Sequence, residues 1–274
     1  MDASSASALV DGVAMSLAEA ALAVTDEGVS RGDGAFETIG VWDGAPFCLD
    51  GHLARLDESL AKTLLPPADR PALQADIDTV LATCTVDAAL RCYVTGSMTR
   101  VVTLSPQPVR GPMRHLEPHY APWIVPPERY PAAGAKTMSY GPNMTATRAA
   151  RQAGGDDAVL MGEDGELLEG PTFALLWVID GALYAVPPER GIVDSVSRRA
   201  LLDLARRDGI AVYDGRLRLE DLERVDEVLA CSAVRAPTAL QTIGSHALPA
   251  TAPLTDRLAD ALDDARRGRR DVTV

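Results

Sequence analysis

Of the 26 basic side chains in this 274-residue sequence, only Lys62 and Lys136 are lysines. A chain that uses arginine almost wherever a cation will do leaves each lysine to be explained. A guanidinium stays protonated, whereas a desolvated ammonium loses its proton and becomes a nucleophile or a base. Lys62 lies on the polar side of the helical pattern Leu56, Leu60, Leu64, where a solvated surface lysine is expected. Lys136 is open to two readings, a surviving surface lysine or an amine kept for covalent and proton-transfer chemistry. Among the four histidines only His115 and His119 stand at a loose metal spacing, inside a proline-rich stretch, and no metal is expected. The sequence has no GxSxG, no P-loop and no GxGxxG followed by a matching strand and acid; Gly32 and Gly34 around Asp33 read as a tight strand entry.

The formal net charge of -13 repels phosphate backbones and anionic lipid, which argues against nucleic acid and membrane surfaces as partners. An anionic ligand must then be held by local arginines and backbone N–H groups against the overall field. The chain opens Met1, Asp2, Ala3, Ser4 without a basic segment ahead of an apolar run, and no apolar stretch approaches the roughly 18 residues that cross a bilayer. A cytoplasmic location is expected. Cys48, Cys84, Cys92 and Cys231 are scattered without CxxC spacing and read as buried thiols.

The elements that must position these groups fall into two parts. Ala35 to Trp42 alternates as a strand, Asp43-Gly44 is a hairpin signal, and Pro46 to Leu49 reads as the return strand. Helices follow over about Gly51 to Thr63 and Ala72 to Ala82, then strands over Leu90 to Val94 and Arg100 to Leu104. Pro106 to Pro127 carries seven prolines and little periodicity, which suits a linker. We therefore expect a domain over 1–110, a linker over 111–122 and a second domain over 123–274. Beyond the linker, Thr147 to Gln152 continues a helix, Ala158 to Met161 is a strand, and a hairpin turns at Asp180-Gly181. Asp194, Ser195 and Ser197 offer caps for a helix running to about Arg207 and stopped by Gly209, a natural seat for a phosphate.

Five runs in order carry a resemblance: Arg31-Gly32-Asp33-Gly34-Ala35-Phe36-Glu37-Thr38, His52-Leu53-Ala54-Arg55-Leu56, Lys136-Thr137-Met138-Ser139-Tyr140, Glu169-Gly170 and Ser195-Val196-Ser197-Arg198. From about Val29 to Thr242 the chain resembles the fold type IV (class IV) pyridoxal phosphate-dependent aminotransferases. The resemblance implies a mixed α+β fold with a small N-terminal domain and a larger C-terminal domain with a β-barrel-like core. It also implies a homodimer and pyridoxal 5'-phosphate as cofactor. Lys136 matches the lysine that forms the Schiff base and shuttles the proton, and Glu169 the carboxylate paired with the pyridine nitrogen. Arg55 matches the phosphate arginine; Val196 and Ser197 the phosphate cup; Ser232 and Ala233 a second phosphate segment, where relatives often have threonine. Tyr140 stands where many relatives place a tyrosine against the cofactor's phenolic oxygen.

Three activities fit that resemblance. Thr38-Ile39-Gly40-Val41 replaces the run usual in branched-chain L-amino-acid enzymes, which ranks that activity third. Phe36 stands where the best-known D-amino-acid transaminases have tyrosine, and their arginine-histidine loop is shortened here to Met98-Thr99-Arg100. Arg31 and Arg91 can grip an α-carboxylate instead, as in the noncanonical D-amino-acid transaminases, and such a site also suits primary (R)-amines. The run through Lys136, with Glu169-Gly170-Pro171, equally resembles 4-amino-4-deoxychorismate lyases, whose substrate carries two carboxylates. The shortened loop favours a D-amino-acid transaminase with a 2-oxo acid acceptor.

Overall fold

The computed structural model describes residues 7–108, 111 and 113–274; the opening Met1 to Ser4 and parts of the expected linker (109–110 and 112) lie outside the described residues. The chain divides into two compact units, Met1–Val109 with Ala135–Tyr140, and Arg110–Gly134 with Gly141–Val274. The lysine segment thus joins the first unit rather than the C-terminal part of the chain.

The first unit contains β1 (Ser7–Val10), β2 (Val13–Ser16), α1 (Glu27–Ser30), β3 (Gly34–Trp42), β4 (Ala45–Pro46), α2 (Leu49–Lys62), α3 (Arg70–Leu81), β5 (Ala88–Thr95) and β6 (Arg100–Pro106). The strands form one antiparallel sheet in the order β2-β1-β6-β5-β3-β4. Alternation along β3 sends Ala35, Glu37, Ile39 and Val41 into the core, where Leu53, Leu56 and Leu60 of α2 cover them; Leu73 and Ile77 of α3 join the same core from above β6 and β1. Phe36 and Thr38 take the opposite face and are half-buried. Asp43 and Gly44 both have positive φ, 49° and 82°, as a two-residue hairpin turn requires. The expected return strand is cut to Ala45–Pro46 because Cys48 adopts a left-handed conformation (φ 51°, ψ 44°) that turns the chain straight into α2. Cys48 is therefore half-buried, whereas Cys84, Cys92 and Cys231 are buried as expected.

Because β4 pairs with only Val41 and Trp42, the other end of that edge of β3 is left open. The lysine segment fills it: Phe36 N–H donates to the Lys136 carbonyl (3.1 Å), Met138 N–H donates to the Gly34 carbonyl (2.9 Å), and Ala35 bridges Thr137.

The second unit contains β7 (His115–Tyr120), α4 (Gly141–Gln152), β8 (Asp157–Met161), β9 (Leu167–Gly170), β10 (Phe173–Ile179), β11 (Ala182–Ala185), α5 (Val196–Arg207), β12 (Val212–Asp214), β13 (Glu227–Ser232), β14 (Arg235–Ala239), β15 (Thr242–Ile243), β16 (His246–Ala247) and α6 (Pro253–Arg266). Its mixed sheet runs β12-β11-β10-β9-β8-β7-β15-β16, and β13 also pairs with β10 and carries β14. Leu160, Leu175, Trp177, Val228 and Ala230 lie in its core. The proline-rich stretch expected to be irregular contains β7, which pairs in parallel with β8 from Leu116↔Asp157 to Tyr120↔Met161. Pairing with β15 stops at Leu116, so Pro118 falls beyond the point where β7 needs amides on both edges.

Both ends of α6 are tied to β13 or the turn after it. The helix starts without a side-chain cap of its own, and the buried Glu227 carboxylate takes that role, accepting from Leu254 N–H (2.8 Å), Thr255 N–H (2.7 Å) and the Thr255 hydroxyl (2.7 Å). Glu227→Gln leaves one of these donors unmatched and is expected to cost about 1–2 kcal/mol, read as a lowered urea midpoint.

Among the described residues no helix is long and apolar enough to cross a membrane.

Candidate active site

In the first unit, Lys136 is half-buried and its ammonium lies against aromatic surface. Nζ stands 4.2 Å from the centroid of Phe36 and 3.2 Å from the Tyr140 hydroxyl. Phe36 is itself fixed, stacked on Tyr93 (5.7 Å between centroids) and edge-on to Tyr140 (5.1 Å). The Lys136 backbone is anchored separately, its N–H donating to Ser59 Oγ (3.0 Å) and its carbonyl accepting from Phe36. Main-chain bonds therefore place the residue while its amine projects beside a phenol. That arrangement suits an amine that must exchange protons and form a covalent bond.

Behind β3, on the core face, Glu37 is wholly buried and accepts from three donors. Arg55 Nε and Nη2 form a fork on its two oxygens (both 2.7 Å), and His52 Nδ1–H donates to Oε2 (2.7 Å). Burial raises the Glu37 carboxyl, but the Arg55 guanidinium and the His52 hydrogen bond outweigh it and hold the group down at about 2. Burial pushes His52 below the usual histidine value, against the pull of Glu37. Arg55, matched by resemblance to the phosphate, is thus locked in orientation by a buried carboxylate.

The half-buried face of the sheet carries the expected substrate groups. In register, Phe36 stands opposite Tyr93 and Thr38 opposite Arg91, which in turn faces Thr103 on β6. Arg91 Nη1 donates to Ser105 Oγ (3.1 Å). Burial pushes the Tyr93 phenol up, opposed by Arg91 beside it. Arg31 lies elsewhere, at the end of α1, with its side chain 74% exposed and paired to Glu27 (3.0 Å). Tyr93 and Glu37 were not expected as site residues from sequence. The two-residue alternation of β3 and β5, which sets Phe36 and Thr38 against Tyr93 and Arg91, is the signal that could have found Tyr93.

In the second unit, Glu169 on β9 is buried and accepts from Val193 N–H at 3.4 Å. Ser195 caps α5 by accepting from Arg198 N–H (3.2 Å), which leaves Val196 and the buried Ser197 in the first turn of a 12-residue helix. Arg198, also buried, donates from Nη1 to Asp194 (3.1 Å), and its Nε has no hydrogen-bond partner among the described residues. Ser232 ends β13 and Ala233 opens the two-residue turn, Ala233–Val234, into β14.

These donor sets fit pyridoxal 5'-phosphate. An amine against aromatic rings suits an aldehyde on a flat ring, and a buried carboxylate suits a protonated pyridine nitrogen. A helix start backed by a buried guanidinium with an unmatched N–H suits a phosphate.

The amino-transferase class IV family model matches residues 34–241 of the chain. A bifunctional aminodeoxychorismate lyase / D-amino acid transaminase from Mycobacterium tuberculosis is 29% identical over 267 residues, covering 86% of this chain and 90% of the relative. A putative branched-chain-amino-acid aminotransferase from Methanocaldococcus jannaschii is 31% identical over 228 residues, covering 77% and 78%. Among solved structures, the PLP-bound form of a hypothetical aminotransferase from Mycobacterium tuberculosis superposes with a TM-score of 0.88 at 27% identity, covering 96% of this chain and 100% of that one. A fold IV-transaminase from Curtobacterium pusillum superposes with a TM-score of 0.86 at 26% identity, covering 93% and 98%. With the family model matched over residues 34–241, the chain belongs to the class IV aminotransferases, pyridoxal phosphate-dependent enzymes of fold type IV.

Proposed function

We propose that this enzyme moves an amino group between a D-amino acid, and also primary (R)-amines, and a 2-oxo acid, with Lys136 carrying the cofactor and the proton. The observation that carries this reading is a half-buried guanidinium, Arg91, the one among the described residues on the sheet face of Phe36 and Tyr93, while Arg31 is exposed and tied to Glu27. One cationic handle beside an aromatic wall suits a substrate with one carboxylate next to its amino carbon. A second reading, 4-amino-4-deoxychorismate lyase, is supported by the double name of the Mycobacterium tuberculosis relative; branched-chain L-amino-acid transfer ranks third. We further propose a cytoplasmic homodimer.

Pyridoxal phosphate, when bound, supplies the electron sink that lets a proton leave the substrate carbon next to nitrogen. Lys136 takes that proton and returns it, its Nζ oriented by the Tyr140 hydroxyl at 3.2 Å. Phe36 excludes water from one side of the amine. Arg91 would bind the substrate carboxylate, Glu169 would accept from the protonated pyridine nitrogen, and Arg55, Val196, Ser197, Ser232 and Ala233 would hold the phosphate.

The test is pyruvate formation by purified enzyme with and without 2-oxoglutarate. D-Alanine should give pyruvate over many turnovers only when the acceptor is present, and at most one equivalent per bound cofactor without it; (R)-1-phenylethylamine should give acetophenone on the same terms. Pyruvate from aminodeoxychorismate without any acceptor, and none from D-alanine, would install the lyase; turnover of L-leucine alone would install the branched-chain reading.

A further inference from the structure

We infer that Arg266 is a positioning residue that fixes the backbone of the Ser232–Ala233 turn for binding the cofactor phosphate; this rests on the assignment of that turn to the phosphate above. Arg266 ends α6 and is 4% exposed. A single nitrogen, Nη2, donates to three backbone carbonyls of one turn: Ser232 (2.7 Å), Ala233 (3.4 Å) and Arg235 (3.2 Å). In a planar trans peptide the N–H points opposite to the carbonyl before it. Holding those carbonyls on one cation therefore fixes the peptide planes on either side of Ala233, and with them the directions of the Ala233 and Val234 N–H groups. Turn amides whose peptide planes are held by a buried cation are preorganised to receive an anion. Ala233 has no hydroxyl to contribute, so backbone orientation must carry the binding at that position.

A second observation points to the same place. Burial pushes the thiol of Cys231, the residue just before the turn, up to about 12, and the two groups near enough to pull it back are Arg266 and Arg198. Two buried guanidiniums thus flank the end of β13, and the buried Nε of Arg198 has no partner among the described residues. In a chain of net charge -13, this concentration of positive charge is what an anionic group would need.

The experiment compares affinities of cofactor-free protein for pyridoxal phosphate and for pyridoxal, which lacks the phosphate, by absorbance titration. Wild type should prefer the phosphate ester. Arg266→Met should bind pyridoxal phosphate at least about tenfold more weakly and pyridoxal within about twofold of wild type, the loss expected when charge-assisted hydrogen bonds no longer orient the turn. Arg266→Lys, with three donors on one nitrogen, should recover most of the preference. Glu227→Gln, which loosens the other end of α6, should lower stability without changing it. An unchanged preference in Arg266→Met overturns the inference. A wild type without any preference overturns the phosphate assignment as well, so the two failures are distinguishable. Should Arg266→Met not fold, hydrogen exchange on wild type decides: amides of the turn after Cys231 should slow with pyridoxal phosphate and not with pyridoxal, and equal protection by both overturns the inference.

Discussion

Lys136→Ala is expected to lose its visible absorbance and at least about a thousandfold of its transamination rate, the scale set by removing a group that is both nucleophile and proton carrier. Nothing nearby can replace it. Lys62, the one other lysine, pairs with Glu58 at 2.8 Å on α2. Lys136→Arg should fail as completely, because a guanidinium keeps its proton. The fold should survive either change: the contacts that seat this segment on β3 and Ser59 are made by main-chain atoms and do not need the side chain. Thermal midpoints close to wild type, measured beside the rates, separate lost chemistry from lost structure.

Glu37→Gln is expected to lower stability by about 3–5 kcal/mol, since removing one partner of a buried ion pair strands the other charge. Arg55 is 8% exposed and its fork on Glu37 uses two nitrogens, so an amide in that place leaves a buried guanidinium without its countercharge. The same group shapes the acid response. Folded Glu37 titrates at about 2 against 4.5 for an ordinary glutamate, so its contribution is complete above pH 4.5 and is lost as pH falls toward 2. That shift corresponds to about 3 kcal/mol. His52, with its value depressed by burial, acts in the same direction from an earlier point: below pH 6.5 the unfolded chain gains a proton that the folded one resists. Wild-type stability measured from pH 7 downward should decline through both windows, and in Glu37→Gln the decline between pH 4.5 and 2 should flatten. An unchanged profile would contradict the assignment of a buried, ionised Glu37.

Where the sequence was informative, the signal was local. Strand alternation marks Ala35 to Trp42, adjacent small turn residues mark Asp43-Gly44, and Ser195 announces the helix that it caps. Helix bounds fell within a few residues for α2 and α3. What escaped depends on partners distant in the chain. β7 is a strand despite its proline because β8, some 40 residues later, supplies its ladder. The Glu227 cap on α6 and the Arg266 clamp on the Ser232–Ala233 turn join groups about 30 residues apart, and no local spacing encodes them. Arg31 and Arg91 read alike in sequence as pocket cations, yet only Arg91 lies on the half-buried sheet face, because β5 pairs Arg91 with Thr38 while Arg31 ends a four-residue helix beside Glu27. Scarcity singles out Lys136 without deciding its role: it is one of two lysines among 26 basic residues, and the other, Lys62, pairs with Glu58 on α2.

The most direct test of the account is to load the protein with pyridoxal phosphate, reduce it with borohydride and map the labelled peptide by mass spectrometry. The phosphopyridoxyl group should appear on the peptide that contains Lys136, with label absent from Lys136→Ala. Label on Lys62 alone, or none on either lysine, would contradict it.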